Sequence, residues 1–320
     1  MTYIVAEIGI NHDGSKHRLD ELVDAARGCD AVKFQLFHPD LIERSDEVKS
    51  ILWKCYLDEC TIQRAANRVR KLGMETMVTP FGPMMLTMAE HMNCWDGYKV
   101  SHAESHDAKW IERLKGTGKP VFVSYCHDAD IRDDVFQLWC CPDYPTSFDS
   151  VDWRAVGRLR GFSDHTGQIR SGAMAVRSGA DVIEAHITWS KSADGPDHSS
   201  SLEPGDFAEY VRTARLVNHD QMPRNPLIDQ NIDVPYMRAK CFARKHPGTE
   251  WRDYLTSGYI GLDRAANSFN ASFGAAFRTY AHRKASGAIL DQWKDDIGRS
   301  RQQKFERSIV DFSSVEAFAC

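Results

Sequence analysis

The sequence predicts an α/β fold: a (β/α)8 TIM barrel followed by a small all-α C-terminal module. Short apolar runs alternate with amphipathic helical patterns eight times within about 215 residues. Strict alternation of this kind is typical of parallel strands joined by crossover helices, and eight units favour a closed barrel over an open sheet. Polar residues follow most of the apolar runs, as expected at the carboxyl ends of barrel strands.

Eight strands and seven helices are predicted before residue 217. The strands are 3–8, 31–36, 75–79, 98–100, 120–124, 136–141, 160–163 and 181–187. The helices are 18–27, 57–72, 83–92, 108–114, 151–159, 167–178 and 204–216. Only 11 residues separate the fifth strand from the sixth, barely enough for a crossover helix. The long connection 37–55 after the second strand is expected at the catalytic face.

The chain is expected to divide into three parts. Residues 1–217 form the barrel. Residues 218–246 carry three prolines among polar residues with little periodicity, and they are predicted to be a linker. In residues 247–320 apolar residues recur at helical spacing, with Gly274 between two helical stretches.

Composition excludes several classes of protein. Hydrophobic residues make up 42% of the chain, enough to build a core, so general disorder is excluded. The net charge of −5 argues against uniform attraction to nucleic acid or anionic membrane, although residues 241–320 carry a net +3. There is no membrane-length apolar run, and the N-terminus is predicted to be a strand rather than a signal peptide. Nine cysteines without paired spacing indicate a reduced, cytoplasmic chain.

Two lysines are predicted at the ends of barrel strands. Lys33 and Lys99 occur there, and hydroxyl residues end other strands: Thr79, Ser124 and Ser163. Because a buried ammonium needs an anionic partner, this set predicts a pocket for a phosphate or carboxylate ligand. The alternative is that one lysine extends its charged end outward to solvent.

Two histidines end neighbouring strands. His165 and His186 can therefore share one divalent metal, with water or substrate completing its coordination. A hydrogen-bonded pair of core histidines is an equally open alternative.

The order of motifs resembles the sialic acid synthase family over residues 3–215. The matching segments are Ala6-Glu7-Ile8-Gly9-Ile10-Asn11-His12-Asp13-Gly14, Lys33-Phe34-Gln35, Thr79-Pro80-Phe81, Tyr144-Pro145-Thr146, Phe162-Ser163-Asp164-His165-Thr166, Glu184-Ala185-His186 and Gly195-Pro196-Asp197-His198. The resemblance implies condensation of phosphoenolpyruvate with the open-chain aldehyde of an N-acetylated amino-sugar. It also implies a divalent metal, Mn²⁺ or alternatively Mg²⁺, that polarises the aldehyde.

The same resemblance implies roles for eleven residues. His165 and His186 look like the metal ligands. The phosphoenolpyruvate site would comprise Lys33, Thr79, Lys99, Ser124 and Ser163. The remaining four would be Glu7, Tyr144 and Asp197, which orient the sugar, and Glu104, a carboxylate near the reacting phosphate.

Three departures from the family pattern stand against catalysis. His102 follows Lys99 where the family has a phosphate-binding hydroxyl, and Tyr125-Cys126 replaces a glycine turn after Ser124. We also expect no C-terminal antifreeze-like domain, the part with which the family reaches into a partner subunit. Whether the chain forms a homodimer is therefore open.

The C-terminal module resembles something else. Ser257-Gly258-Tyr259-Ile260-Gly261-Leu262 and Phe277-Arg278-Thr279-Tyr280-Ala281 are similar to region 2 of bacterial sigma factors, and the match covers residues 249–294. This resemblance implies RNA polymerase core or promoter DNA as partners. The alternatives are ordinary core aromatics and a solvated helix face carrying Arg283 and Lys284.

Three functional hypotheses follow. The first is a phosphoenolpyruvate-dependent enzyme that makes a nonulosonic (sialic-type) acid. The second is a transcription-linked binding protein with a degenerate, non-catalytic barrel. The third is a barrel that binds a metal and an anion without turnover.

Overall fold

The computed structural model describes residues 2–42, 45–126, 129–217, 226–271, 274 and 276–316. The chain divides into two compact units, Met1–Pro223 and Arg224–Cys320. None of the described helices is both long enough and apolar enough to cross a bilayer.

The first unit is a closed barrel of eight parallel strands that neighbour one another in sequence order. Its strands are β1 Tyr3–Glu7, β2 Ala31–Leu36, β3 Glu75–Pro80, β4 Gly97–Val100, β5 Val121–Tyr125, β6 Phe136–Cys140, β7 Gly161–Asp164 and β8 Val182–His186. The barrel closes where β1 pairs with β8, with Glu7 opposite His186. The predicted fold class is therefore confirmed.

Helices surround this barrel. They are α1 Lys16–Ala25, α2 Asp46–Cys55, α3 Glu59–Lys71, α4 Pro83–Met92, α5 Ala108–Lys115, α6 Trp153–Leu159, α7 Ile169–Ser178 and α8 Pro204–Leu216. Between β5 and β6 the described residues contain no helix, in keeping with the short connection in the sequence. The long connection after β2 was predicted without a helix, but it contains α2, whose first turn is capped by the Ser45 hydroxyl accepting from the Val48 N–H.

The inside of the barrel is built in two layers. An apolar layer consists of Val5, Ala31, Met77, Phe122, Leu138 and Val182. Two residues further along the same strands lie Glu7, Lys33, Thr79, Ser124, Cys140 and Glu184. Because side chains two apart on a strand share a face, the second set points into the barrel directly above the first. The apolar layer thus fills the barrel beneath a mostly polar layer at the carboxyl ends of the strands.

The second unit is helical, as predicted. Its elements are α9 Pro226–Asp229, α10 Val234–Lys245, a 3₁₀ turn Trp251–Tyr254, α11 Leu255–Ser268 and α12 Phe277–Glu316. Gly261 lets α11 approach α12 closely, since a Cβ there would come within 2.6 Å of the Ala285 Cα.

The predicted linker 218–246 needs correction. Residues 218–225 lie outside the described part of the chain, but Val234–Lys245 is helix α10. Pro235 stands in the first turn of this helix, where a missing N–H removes no intrahelical bond. Its side chain is buried together with those of Val234 and Ala239. The prolines were interpreted as loop residues, whereas Pro226 begins α9 and Pro235 lies in the first turn of α10.

The contact between α7 and α8 gives a stability prediction. A Cβ on Gly172 would lie 2.6 Å from Cζ of the buried Tyr210 ring, so Gly172→Ala overpacks this contact. We expect it to lower the free energy of unfolding by about 1–3 kcal/mol, measured by urea denaturation. Gly205→Ala, at the start of α8 with no atom within 4 Å of the added Cβ, is the control and should cost nothing. Equal effects of the two substitutions would contradict the packing argument.

Candidate active site

A cavity of about 430 Å³ opens at the carboxyl ends of the strands. It collects ten of the eleven residues given roles from the sequence: Glu7, Lys33, Thr79, Lys99, Ser124, Tyr144, Ser163, His165, His186 and Asp197. These residues come from seven strands, all except β6, and from the loops after β6, β7 and β8. Their assembly in one cavity gives the site, while their individual roles stay predictions.

Glu184 lies at the centre of the polar layer and contacts both lysines. Its carboxylate is 2.9 Å from the Lys33 ammonium and 3.7 Å from that of Lys99. Lys33 also lies 3.5 Å from a Glu7 oxygen. All four side chains are at least 94% buried. Two buried ammonium groups and two buried carboxyl groups therefore form one network.

Hydroxyl groups complete this network. The Lys99 ammonium donates to the Ser124 hydroxyl at 2.8 Å, and the Ser163 hydroxyl donates to Glu184 at 2.9 Å. Ser163 and Glu184 are register partners on β7 and β8, which explains their contact. Lys33 and Lys99 therefore lie in one buried network, and neither extends its charged end outward to solvent. That they bind an anion stays a prediction.

Burial and charge set the ionisation of this network. Burial lowers the pKa of Lys33, but the carboxylates of Glu184 and Glu7 raise it by more. The pKa of Lys33 is therefore above its ordinary value, and the ammonium form is favoured. Burial lowers the pKa of Lys99 more than Glu184 raises it. Burial would raise the pKa of Glu184, yet the two lysines hold it below its ordinary range. Burial raises the pKa of Glu7 to about 7 in spite of Lys33. When Glu7 is protonated, the two ammonium groups outnumber the one carboxylate of Glu184, so the network then carries a net positive charge.

Gly9 shapes the edge of the cavity beside Glu7. Its backbone has a φ of +53°, and a Cβ there would come within 3.1 Å of a Glu7 oxygen and 3.2 Å of the Gln35 amide nitrogen. The Gln35 amide donates to Glu7 at 2.9 Å. A residue without a side chain is therefore needed where the loop after β1 crosses this hydrogen bond.

The two histidines lie together in the cavity, with ring centroids 5.7 Å apart. The Nδ1 of His165 is 2.6 Å from the Cys141 carbonyl, which only accepts, so Nδ1 carries the proton and Nε2 a lone pair. In this structure the Tyr144 hydroxyl donates to that Nε2 at 2.9 Å. His186 has a buried Nδ1 without a hydrogen-bond partner in the described residues.

These features fit a divalent metal. A backbone carbonyl that fixes the tautomer of one imidazole is a common supporting contact of histidine ligands, and an unpartnered buried nitrogen is explained by a bound ion. Burial lowers the pKa of His165 to about 4, which keeps its ring neutral and able to coordinate. Within the described residues no group of three or more His, Cys, Asp or Glu side chains could hold a metal ion, so a metal at the two imidazoles would need water or substrate to complete its coordination.

Asp197 lies beside the histidines, with a carboxylate oxygen 3.9 Å from His186 Nδ1. Burial raises the pKa of Asp197 to about 6. A separate carboxylate, Asp164, fixes the loop that carries His165: it accepts from the Thr166 N–H at 2.8 Å and from the Ser171 hydroxyl. Asp164, which precedes the histidine, is thereby tied to two residues that follow it.

Glu104 is the one predicted residue outside the lining of the cavity. It stands in a 3₁₀ turn, His102–Glu104, and accepts from the Ser101 hydroxyl at 2.9 Å. Ser101 and His102 themselves line the cavity. Glu104 thus meets the lining of the cavity through its hydrogen bond with Ser101.

Glu184 received no role from the sequence, although the structure makes it the centre of the network. The signal was present, because Glu184 precedes His186 by two residues on β8 and must share its inward face. What the sequence did not show is that two lysines from other strands converge on it.

Comparisons with known proteins agree with this geometry. A model of the NeuB family matches residues 22–222. An uncharacterised protein of Methanocaldococcus jannaschii is 32% identical over 240 residues, which cover 68% of this chain and 71% of that protein. The N,N'-diacetyllegionaminic acid synthase of Legionella pneumophila is 28% identical over 254 residues, 67% of this chain and 71% of that enzyme. The crystal structure of the N-acetylneuraminic acid synthetase of Leptospira borgpetersenii, 21% identical, covers 78% of this chain and 93% of its own with a TM-score of 0.62, which shows the shared fold.

The buried network predicts a pH-dependent loss of stability in Lys33→Met. At pH 8 this change leaves two buried carboxyl groups with one ammonium and should cost about 3 kcal/mol or more. In the wild type the pKa of Glu184 is lower in the folded protein than in the unfolded chain. This difference stabilises the folded protein at pH values above the unfolded-state pKa, and the stabilisation is lost as the pH falls toward the folded-state pKa. Without Lys33, burial raises the pKa of Glu184 instead, so this carboxyl group can bind a proton at pH 5. The loss of unfolding free energy in Lys33→Met should therefore be smaller at pH 5 than at pH 8.

Urea denaturation at pH 8 and pH 5 measures this difference. Lys33→Met/Glu184→Gln, which removes both charges, should recover most of the lost stability at pH 8. A deficit that is equal at the two pH values, or undiminished in the double variant, would mean that charge is not the cause.

Proposed function

The chain belongs to the NeuB family, and we propose that it condenses phosphoenolpyruvate with the open-chain aldehyde of an N-acetylated amino-sugar, releasing phosphate. The observation that carries this proposal is one cavity lined both by buried lysines and hydroxyls and by two histidines whose lowered pKa values keep them neutral. The condensation requires an anion and a metal-bound carbonyl compound to lie next to each other. A cavity that combines an anion site with a metal site provides this arrangement.

Phosphoenolpyruvate matches the lysine side of the cavity. It carries a carboxylate and a phosphate, and Lys33 and Lys99 offer two ammonium groups with hydroxyls at Thr79, Ser124 and Ser163. Glu184 occupies the lysines in the free protein, so the anion competes with it for their hydrogen bonds. The lysines would also stabilise the negative charge that grows on the phosphate as it leaves.

His165 and His186 would hold the divalent metal, proposed as Mn²⁺ with Mg²⁺ as the alternative. When bound, the metal acts as a Lewis acid toward the sugar aldehyde. Binding at Nε2 of His165 requires the Tyr144 hydroxyl to give up its hydrogen bond to that nitrogen. Tyr144 is then available to donate to the substrate.

The reaction balances with water as the one further reactant. Carbon 3 of phosphoenolpyruvate forms a bond to the aldehyde carbon, whose oxygen becomes a hydroxyl. Water adds at carbon 2, and the bond from carbon 2 to the phosphate oxygen breaks. Glu7 and Asp197, with pKa values raised by burial to about 7 and about 6, can each hold or release a proton near neutral pH.

The named relatives suggest the class of product. They include synthases of N,N'-diacetyllegionaminic acid, N-acetylneuraminate 9-phosphate and pseudaminic acid, all between 26% and 28% identical to this chain. We accordingly propose a nonulosonic acid as the product. The competing hypothesis, a barrel that does not turn over, rests on His102 and Tyr125-Cys126 near the lysines, and it predicts binding without phosphate release.

The likeness of residues 249–294 to sigma region 2 stays a prediction. The matched family segment ends at residue 222 and does not reach this part of the chain. Two cations, Arg283 and Lys284, lie 5.5 Å and 5.4 Å from the ring centroid of Tyr280, an arrangement that can stack on unpaired bases. Failure of the full chain to bind core RNA polymerase and single-stranded promoter DNA would remove this second candidate. The cytoplasmic location also stays a prediction.

The proposed condensation predicts phosphate release that needs both substrates. With Mn²⁺, phosphoenolpyruvate and N-acetylmannosamine, the full chain should release phosphate, and omission of the sugar should abolish release. Lys99→Met should raise the KM for phosphoenolpyruvate at least about tenfold and leave that for the sugar nearly unchanged, because one charge-assisted contact is lost. Equal changes in both KM values would assign Lys99 a structural role instead.

The two histidines predict the metal affinity. His165→Ala and His186→Ala should each weaken Mn²⁺ binding at least about a hundredfold, since each removes one of two protein ligands. The free Mn²⁺ signal in electron paramagnetic resonance measures the affinity directly. His17→Ala, at an exposed position on α1, is the control and should bind like the wild type. Unchanged binding in either cavity variant would exclude this metal site.

A further inference from the structure

An open cavity of about 760 Å³ lies along helix α4, among the helices that surround the barrel. Helices α3 and α5 supply the rest of its wall, with Gln63 and Arg113 among the lining residues. The Gln63 amide donates to the Met92 carbonyl at 3.0 Å and so ties α3 to the end of α4. This cavity shares no lining residue with the candidate active site and is therefore separate from it.

Methionine is concentrated on α4. Four of the ten methionines of the chain lie in this ten-residue helix, namely Met84, Met85, Met88 and Met92. Met85 and Met92 are buried and belong to the face that packs on the core. Met84 is 61% exposed, and Met88 is half-buried. Filling of the core therefore explains the first pair of methionines but not Met84.

Met84, Met88 and His91 share one face of α4, and all three line the cavity. They are four and three residues apart, and side chains at these spacings are neighbours on a helix, with Cβ atoms about 5–6 Å apart. A methionine side chain is unbranched and has three rotatable bonds, so both sulfur atoms can turn toward a point near His91. The imidazole of His91 is exposed in the last turn of the helix. Two thioethers and one imidazole can therefore converge on one ligand.

The chemistry of these donors favours a soft metal ion. Thioether sulfur selects soft ions such as Cu⁺, and imidazole also suits copper, whereas Mg²⁺, Ca²⁺ and Mn²⁺ prefer oxygen ligands. Among the lining residues, Glu59 and Arg113 carry opposite charges. These charges offset each other, so the lining offers no excess of negative charge to a divalent cation. Uncharged soft donors in such a lining suit an ion with a single positive charge.

We propose that Met84, Met88 and His91 bind a soft monovalent metal ion, Cu⁺, at the outer surface of the barrel. The Sδ atoms of the two methionines and one ring nitrogen of His91 are its ligands. The site is distinct from the one proposed for a divalent metal at His165 and His186, because it uses other residues and softer donors. It does not depend on the proposed condensation.

The methyl signals of methionine in nuclear magnetic resonance test this site directly. The full chain is prepared with ¹³C-methyl methionine, and its accessible thiols are blocked with iodoacetamide because thiolates also bind soft metals. Ag⁺ is then added as a redox-stable substitute for Cu⁺. We expect the signals of Met84 and Met88, assigned with Met84→Leu and Met88→Leu, to shift together up to one equivalent. The signal of Met85, on the buried face of the same helix, should not move.

Competition with a coloured Cu⁺ chelator, without oxygen and on the same thiol-blocked protein, measures the affinity for Cu⁺ itself. Met88→Leu and His91→Ala should each weaken binding at least about tenfold, since each removes one ligand. Met85→Leu is the matched control on the same helix and should bind like the wild type. Thermal melting of each variant checks folding.

Three results would overturn the site. They are unmoved Met84 and Met88 signals at one equivalent of Ag⁺, similar shifts of all methionine signals, and a Cu⁺ affinity that His91→Ala and Met88→Leu change no more than Met85→Leu does.

Discussion

The contact of Glu184 with two buried lysines is the constraint on which the site depends. Removing four ionisable groups from water is costly, and the cost is tolerable only if each charge meets an opposite one. The barrel provides this by bringing β1, β2, β4 and β8 to the same height, so that Glu7, Lys33, Lys99 and Glu184 meet above an apolar layer. In the proposed function, a ligand with two negative groups would replace the carboxylates as the partner of the lysines. The ligand must therefore compete with the contacts within the network.

The loop after β1 organises the rest of the catalytic face. Gly9 crosses the Glu7–Gln35 hydrogen bond, Ile10 lines the cavity, and Asn11 ties the loop to the residue after β8 through the Ile187 carbonyl. Because β1 and β8 are neighbours in the closed barrel, this loop and the one after β8 form a common wall.

Most of the barrel and most of the site followed from the sequence, for a physical reason. A buried parallel strand is a short apolar run, and the inward-facing residue at its end is visible by alternation. What did not follow were features that depend on contacts between distant segments. Helix α2 forms in a stretch interpreted as a loop, Glu104 lies in the turn after β4 outside the cavity lining, and Glu184 gains its importance from lysines on other strands. Helix α10 was missed because Pro235 was interpreted as a breaker, although a proline is also a good first-turn residue.

The fate of one oxygen atom tests the central claim most directly. Phosphoenolpyruvate labelled with ¹⁸O in the oxygen between carbon 2 and phosphorus is incubated with the full chain, Mn²⁺ and N-acetylmannosamine, and the products are analysed by mass spectrometry. If carbon 3 attacks the aldehyde and the intermediate expels phosphate from carbon 2, the label appears in inorganic phosphate, and only when the sugar is present. Label retained in a three-carbon product, or phosphate released without the sugar, would show simple hydrolysis and would contradict the account.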